Sequence, residues 1–177
     1  MHRLAALLLV AGTLAAADLP RTAGPLEFVS AQGAHLRLAD QRGKVVLLEF
    51  LLTHCAACKA KARLLARLDQ EYGPRGLRIF GLAIDEGAGP KLNTFAAETG
   101  ARFPLGVFNG EIAKQYLQIP PVVNMVMPQV AIIDRKGTIR DQHGAVEPWM
   151  DEKVVEKNLR AVIEKLLAEP ATRSGKK

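Results

Sequence analysis

The sequence predicts an α/β fold: a central mixed β-sheet with helices on both faces, entered through an N-terminal β-hairpin. Three observations predict it. Short apolar runs rich in Val, Ile and Leu alternate along the chain with segments whose apolar residues recur every three to four positions. A length of 177 residues at 49% hydrophobic content suffices for one core and is too short for two. The last two strand-like runs flank Arg135-Lys136-Gly137, a turn signal that closes the sheet on an antiparallel pair.

The N-terminus reads as a targeting segment. Arg3 gives a positive start, Leu4 to Gly12 is an uncharged apolar run, and Ala15, Ala16 and Ala17 form a small-residue site before Asp18. These are the parts of a secretory signal peptide, expected over residues 1–17. The apolar run falls short of the ~20 residues that span a bilayer, so a retained anchor is the lesser expectation. No cysteine lies near the cut to accept a lipid. Residues 18–168 are expected to form the domain, and residues 169–177 a disordered basic tail.

Leu26 to Val29 and His35 to Leu38 are expected to pair as the hairpin around Gln32-Gly33. Val45 to Leu52 is apolar apart from Glu49 and reads as a central buried strand. A helix follows the cysteines, with Cys58, Ala62, Leu65 and Leu68 on its inner stripe and Lys59, Lys61, Arg63 and Arg67 largely outside. Gly73-Pro74 ends it. Leu77 to Ile84 is the next strand, Lys91 to Thr99 a second helix closed by Gly100, and Glu111 to Leu117 a short third helix. Val130 to Ile133 and Thr138 to Gln142 are the closing strands. Asp151 to Ala168 is a last amphipathic helix stopped by Pro170.

The formal net charge is +6, and Arg173, Lys176 and Lys177 in the tail supply half of it. No basic stripe is interleaved with aromatics, which argues against a nucleic-acid partner. Export implies an oxidising compartment, yet the chain has only two cysteines, three positions apart. That pattern is a single reactive pair rather than a disulfide-stapled scaffold.

The chemistry is concentrated where the central strand meets the first helix. A thiolate, not a thiol, is the nucleophile, and a helix N-terminus favours the anion. Cys55 would sit exposed at that terminus, with Cys58 one turn deeper. Cys55 would attack a partner disulfide, and Cys58 would resolve the mixed disulfide, so the pair would cycle through a redox-active disulfide. Zinc, a static disulfide and copper are the competing readings of the pair, and zinc lacks further ligands of the right type. No cofactor or metal is expected.

Glu49 interrupts the apolar run and shares a sheet face with Leu47 and Leu51. Buried beneath the helix, its carboxyl would be raised in pKa and could exchange a proton with Cys58; the alternative is a strand-edge Glu facing solvent. His54 abuts Cys55 and could favour its thiolate, or be an exposed histidine without a role.

With these residues in hand, the chain resembles the TlpA/ResA-like branch of the thioredoxin superfamily. The likeness rests on Gly43-Lys44-Val45-Val46-Leu47-Leu48-Glu49-Phe50, the Cys55–Cys58 pair, Ile84-Asp85, Phe103-Pro104-Leu105, Pro128, Val130-Ala131-Ile132-Ile133-Asp134 and Gly137. The resemblance implies a thioredoxin-like three-layer sandwich and an extracytoplasmic, monomeric thiol–disulfide oxidoreductase. It implies partner proteins bearing disulfides or thiols, an upstream electron donor, and work in the reducing direction. It also implies that Pro128 is a cis-proline facing the cysteines, in preference to Pro120 or Pro121, with Met127 touching the partner chain.

The sequence departs from that pattern at several places. His54 stands where the family has Trp, Lys61 where ResA-like members carry an acid, and Glu49 where that branch often has Asn. The segment Pro120 to Met127 is longer than usual, and its Val122, Val123, Met125 and Val126 would widen a partner surface. Two rivals remain: a peroxiredoxin-type peroxidase, for which Thr53 is one position out of register, and a Sco-like Cu(I) carrier, for which His143, in a strand-end turn, would be the distal ligand.

Overall fold

The computed structural model describes residues 18–170. The expected signal peptide, and the tail from residue 171 onward, lie outside the described residues. The sheet is organised around β4 (Val45–Leu51), whose seven residues are all buried. It runs parallel to β5 (Leu77–Ala83) on one side and antiparallel to β7 (Gln129–Ile133) on the other. Both faces of this strand are covered, which explains why its sequence is a continuous apolar run rather than an alternation.

Six strands make the main sheet in the order β1-β8-β7-β4-β5-β6. Here β1 is Arg21–Thr22, β6 is Leu105–Val107 and β8 is Thr138–Gly144. β2 (Glu27–Val29) and β3 (His35–Arg37) form the expected hairpin as a separate two-stranded sheet. Its turn uses Gly33 at φ 79, a conformation glycine adopts without strain. A bridge between Ser30 and Gly106 ties the hairpin to β6.

Helix α1 (Ala56–Tyr72) follows β4 through a short turn. α2 (Leu92–Thr99) ends at Gly100 in the left-handed conformation, as its sequence predicts. α3 (Gly110–Tyr116) is capped by the Asn109 side chain, which accepts from the Ile112 N–H at 3.0 Å. α4 is Val155–Ala168. Lys59 on α1 pairs with Glu98 on α2 at 2.7 Å, and Tyr72 on α1 donates to Glu164 on α4 at 2.6 Å. These three helices therefore lie together on the Leu47–Glu49–Leu51 face. On the opposite face Phe50 packs against Phe108 and Tyr116, and Phe28 of the hairpin meets Phe80 edge-on. The result is the expected three-layer sandwich.

Four sequence expectations need correction. β1 and β6 are absent from the sequence reading, because strands of two and three residues show no periodicity. β8 extends to Gly144, so His143 lies within the strand opposite Val130 rather than in a turn. α4 begins at Val155, because Asp151 first forms a turn in which its side chain accepts from the Lys153 N–H. Lys61, assigned to the solvent side of α1, is buried with only 6% exposure.

Candidate active site

The end of β4 delivers Thr53, His54 and Cys55 to the mouth of α1. Cys55 has extended backbone angles and is the helix N-cap: its Sγ accepts from the Cys58 N–H at 3.2 Å. A sulfur there sits against unpaired N–H groups and the positive end of the helix. Both cysteines are free thiols; Cys55 is half-buried and Cys58 buried. Burial first, and the hydrogen bond to Cys55 second, push the Cys58 thiol up in pKa. The deeper thiol therefore stays protonated unless a base takes its proton.

Glu49 is fully buried, and neither carboxylate oxygen has a hydrogen-bond partner. Burial pushes its carboxyl up to about 8, and the charge of Lys61 acts against that rise. The charge of Glu49 in turn raises Cys58, which places the two groups within electrostatic reach. In the sheet Glu49 lies in register with Gly81 and Val130, so neither strand neighbour offers it a polar group.

His54 points elsewhere. Its side chain is 70% exposed, and its Nδ1 is 3.8 Å from Asp85 Oδ2. Asp85 accepts from the Thr53 N–H at 2.9 Å and from the Thr53 hydroxyl at 2.6 Å. Burial alone would raise Asp85, but the Thr53 bonds and Lys91 outweigh it and hold the carboxyl below its usual range. This clamp fixes the turn between β4 and α1.

The Met127–Pro128 peptide is cis. Pro128 lines a groove of about 420 Å³ together with Ala57, Ala60, Lys61 and Leu64 of α1, so it stands across from the first turns of that helix. Met127 is nearly buried at 8% exposure. The fold thus gathers Cys55, Cys58 and Glu49, sets Pro128 across the groove, and leaves His54 on the Asp85 side.

Sequence reading gave no role to Asp85 and misplaced Lys61. The signal for Lys61 was present: positions 58, 61, 62, 65 and 68 form one helical stripe, and only the charge of the side chain argued against it. Among the described residues no cluster of three or more His, Cys, Asp or Glu side chains could hold a metal. His143 lies between two carboxylates, its Nδ1 hydrogen-bonded to Glu147 at 2.6 Å and its Nε2 2.7 Å from Asp141, and it stacks on Trp149.

A central mixed sheet, helices on both faces and a paired-cysteine motif at a helix mouth define a thioredoxin-fold protein. The chain belongs to the AhpC/TSA family, which it matches over residues 17–142. It is similar to the thiol-disulfide oxidoreductase ResA of Bacillus thuringiensis subsp. konkukian, with 29% identity over 109 residues, 61% of this chain. That match spans 59% of the relative's own length. ResA of Geobacillus kaustophilus is 25% identical over 143 residues, 80% of this chain and 76% of the relative. These likenesses bear out the resemblance to TlpA/ResA-like proteins. A thiol:disulfide interchange protein of the thioredoxin family from Chlorobium tepidum TLS shares the fold, with a TM-score of 0.70 and 18% identity, covering 86% of this chain and 99% of its own.

Proposed function

We propose that this protein is a thiol–disulfide oxidoreductase that reduces disulfides in partner proteins. One observation carries the reading: a half-buried Cys55 caps α1 while a buried Cys58 of raised pKa sits beside an unpartnered, buried Glu49. The Cys55 thiolate attacks a partner disulfide, forming a mixed disulfide and releasing one partner thiolate. Cys58 gives its proton to the Glu49 carboxylate and attacks Cys55 Sγ. The second partner sulfur leaves, the Cys55–Cys58 disulfide forms, and the partner gains two electrons. A donor of thiol chemistry must then return the pair to the dithiol.

The cis Met127–Pro128 edge supports a partner strand lying along the groove by backbone hydrogen bonding. The basic start and apolar run at the N-terminus support export through a cleaved signal peptide over residues 1–17 and an extracytoplasmic location. No helix among the described residues is long and apolar enough to cross a membrane.

Membership of the AhpC/TSA family favours a second reading, a peroxidase. Against it, the Thr53 hydroxyl donates to Asp85 and is not free to bind a peroxide. The deciding experiment uses Cys58→Ser with a disulfide-bearing protein such as insulin. The expected result is a stable mixed disulfide through Cys55, seen as a mass adduct, with wild-type protein turning insulin over. Peroxide consumption without any mixed disulfide would replace this reading with the peroxidase.

A further inference from the structure

The buried group that the mechanism above leaves unused is Lys61. It lies on α1 one turn beyond Cys58, is 6% exposed, and lines the groove that Pro128 closes. The Lys61 stem is buried while its ammonium is not sealed from water, so its charge survives and acts on nearby carboxylates through space. Two anions act on it: Glu49 from β4 below and Glu152, in the turn before α4, from the groove side. Arg67, Asp151 and Glu156 line the same groove. Glu49 has the complementary need. Its two oxygens are buried without hydrogen bonds, and its neighbours across the sheet are Gly81 and Val130.

We infer that Lys61 is a positioning residue whose ammonium charge, set on the same inward stripe of α1 as Cys58, favours the carboxylate form of the buried Glu49 and so supplies the base that takes the Cys58 proton. This rests on the proposed oxidoreductase reading and deepens it. A lysine that merely buries its stem and lets its head reach water would pack in the same place. The two roles separate in how Lys61 affects the pH at which Cys58 reacts. As an anchor for the carboxylate, it lowers the pH at which Glu49 becomes a base. As packing alone, it does not.

The sign agrees with the electrostatics. Burial drives Glu49 up to about 8, and Lys61 is the group that pulls it down. Removing the charge should therefore move Glu49 further up and leave less base at neutral pH. The same substitution relieves Cys58 of nothing that helps it, because burial and the bond to Cys55 lead its own rise.

The reaction of the reduced protein with a slight excess of Ellman's reagent separates the two sulfurs. Attack by Cys55 releases the first thionitrobenzoate, and resolution by Cys58 releases the second. In Lys61→Met the first phase should stay within about twofold, since Cys55 does not use Glu49. The second phase should slow by ~10-fold near neutral pH, within the range for an impaired general base. Its pH midpoint should rise by about one unit. Lys61→Arg should restore both. In a Glu49→Gln background, Lys61→Met should add nothing, because the residue it acts through is gone.

An unshifted midpoint in Lys61→Met overturns the inference. So does an equal shift in the Glu49→Gln background, which would mean that Lys61 acts on Cys58 directly. If Lys61→Met does not fold, the exposed Glu152→Gln reads the same quantity: freeing Lys61 from its second anion should lower the midpoint, and no shift overturns the inference. If wild-type protein releases only one thionitrobenzoate, Cys58 does not resolve, and both the oxidoreductase reading and this inference fall. A normal wild-type second phase with an indifferent Lys61 leaves the former standing alone.

Discussion

In the proposed mechanism Glu49 is the residue at which stability and activity are set against each other. Its folded value of about 8 lies above its ordinary 4.5, because burial disfavours the charged form. Between those values the unfolded chain gives up a proton that the folded protein keeps. Stability therefore falls as pH rises through that window. Glu49→Gln removes the dependence. In urea unfolding the variant should match wild type near about pH 4 and gain on it steadily toward about pH 8. The same variant should slow resolution by Cys58 by ~10²-fold or more while leaving attack by Cys55 nearly unchanged. A variant with a constant stability difference across that range would show that Glu49 does not hold its proton in the fold. Glu49 was legible in the sequence because a charge in the middle of an apolar strand has few places to go. Lys61 was not, because a lysine on an amphipathic helix is usually a surface residue, and its burial depends on the groove built by Pro128 and the residues before α4.

At the scale of elements, the strands and helices with long periodic sequences were legible, and those without them were not. β4, β5, α1 and α2 fall within a residue or two of expectation, since their apolar spacing and their Gly and Pro stops are local signals. β1 and β6 exist only by pairing with strands already formed, at two and three residues each. β6 depends on Gly106. A Cβ there would meet the Phe28 ring and come within 2.7 Å of the Val29 carbonyl oxygen. That close approach lets the hairpin bridge to the edge of the sheet. Gly106→Ala should destabilise the fold by ~1–3 kcal/mol, the cost of overpacking a fitted contact. Urea unfolding measures it, and a shift under a few tenths of a kcal/mol would mean that the hairpin moves aside freely. The two helices α1 and α4 show the opposite case. Arg160 binds Glu71 at 2.7 Å and Tyr72 at 3.0 Å, a link across sequence that no local pattern announces.

Over the whole molecule, the segment before the cis proline carries an apolar rim. Val122 is 86% exposed, and Val123 and Val126 are exposed beside it, in the segment leading to the cis Met127–Pro128 peptide. Scattered exposed valines need no explanation, but a group of them in the segment that leads into the cis peptide does. A small disulfide does not need this rim and a protein partner would. Val122→Asp with Val126→Asp should leave the Ellman's reaction within about twofold and slow reduction of a protein disulfide by ~10-fold, the loss of ~1.4 kcal/mol of contact. Equal rates on both substrates would remove the rim from the partner surface. The likeness of residues 17–142 to the AhpC/TSA family covers the strands and helices that carry the thiols and stops before α4. The sequence marked the thiols, the acid and the proline because each is a chemical irregularity in an otherwise regular pattern. The groove between them was invisible because it is a gap, formed by α1, Pro128 and the turn before α4 from widely separated parts of the chain.

The clamp of Thr53 on Asp85 and the anchoring of α1 to α4 leave little slack around the sulfurs. The helix that carries Cys58 is held at its far end by Tyr72 and Arg160, and the turn that carries Cys55 is held at its near end by two short hydrogen bonds. Closing or opening the ring of two sulfurs is thus left to side-chain rotation within one turn of chain. On the proposed function the protein would behave as an anvil: a partner would bring its bond to a fixed point and be bent there, while the anvil keeps its shape from one blow to the next.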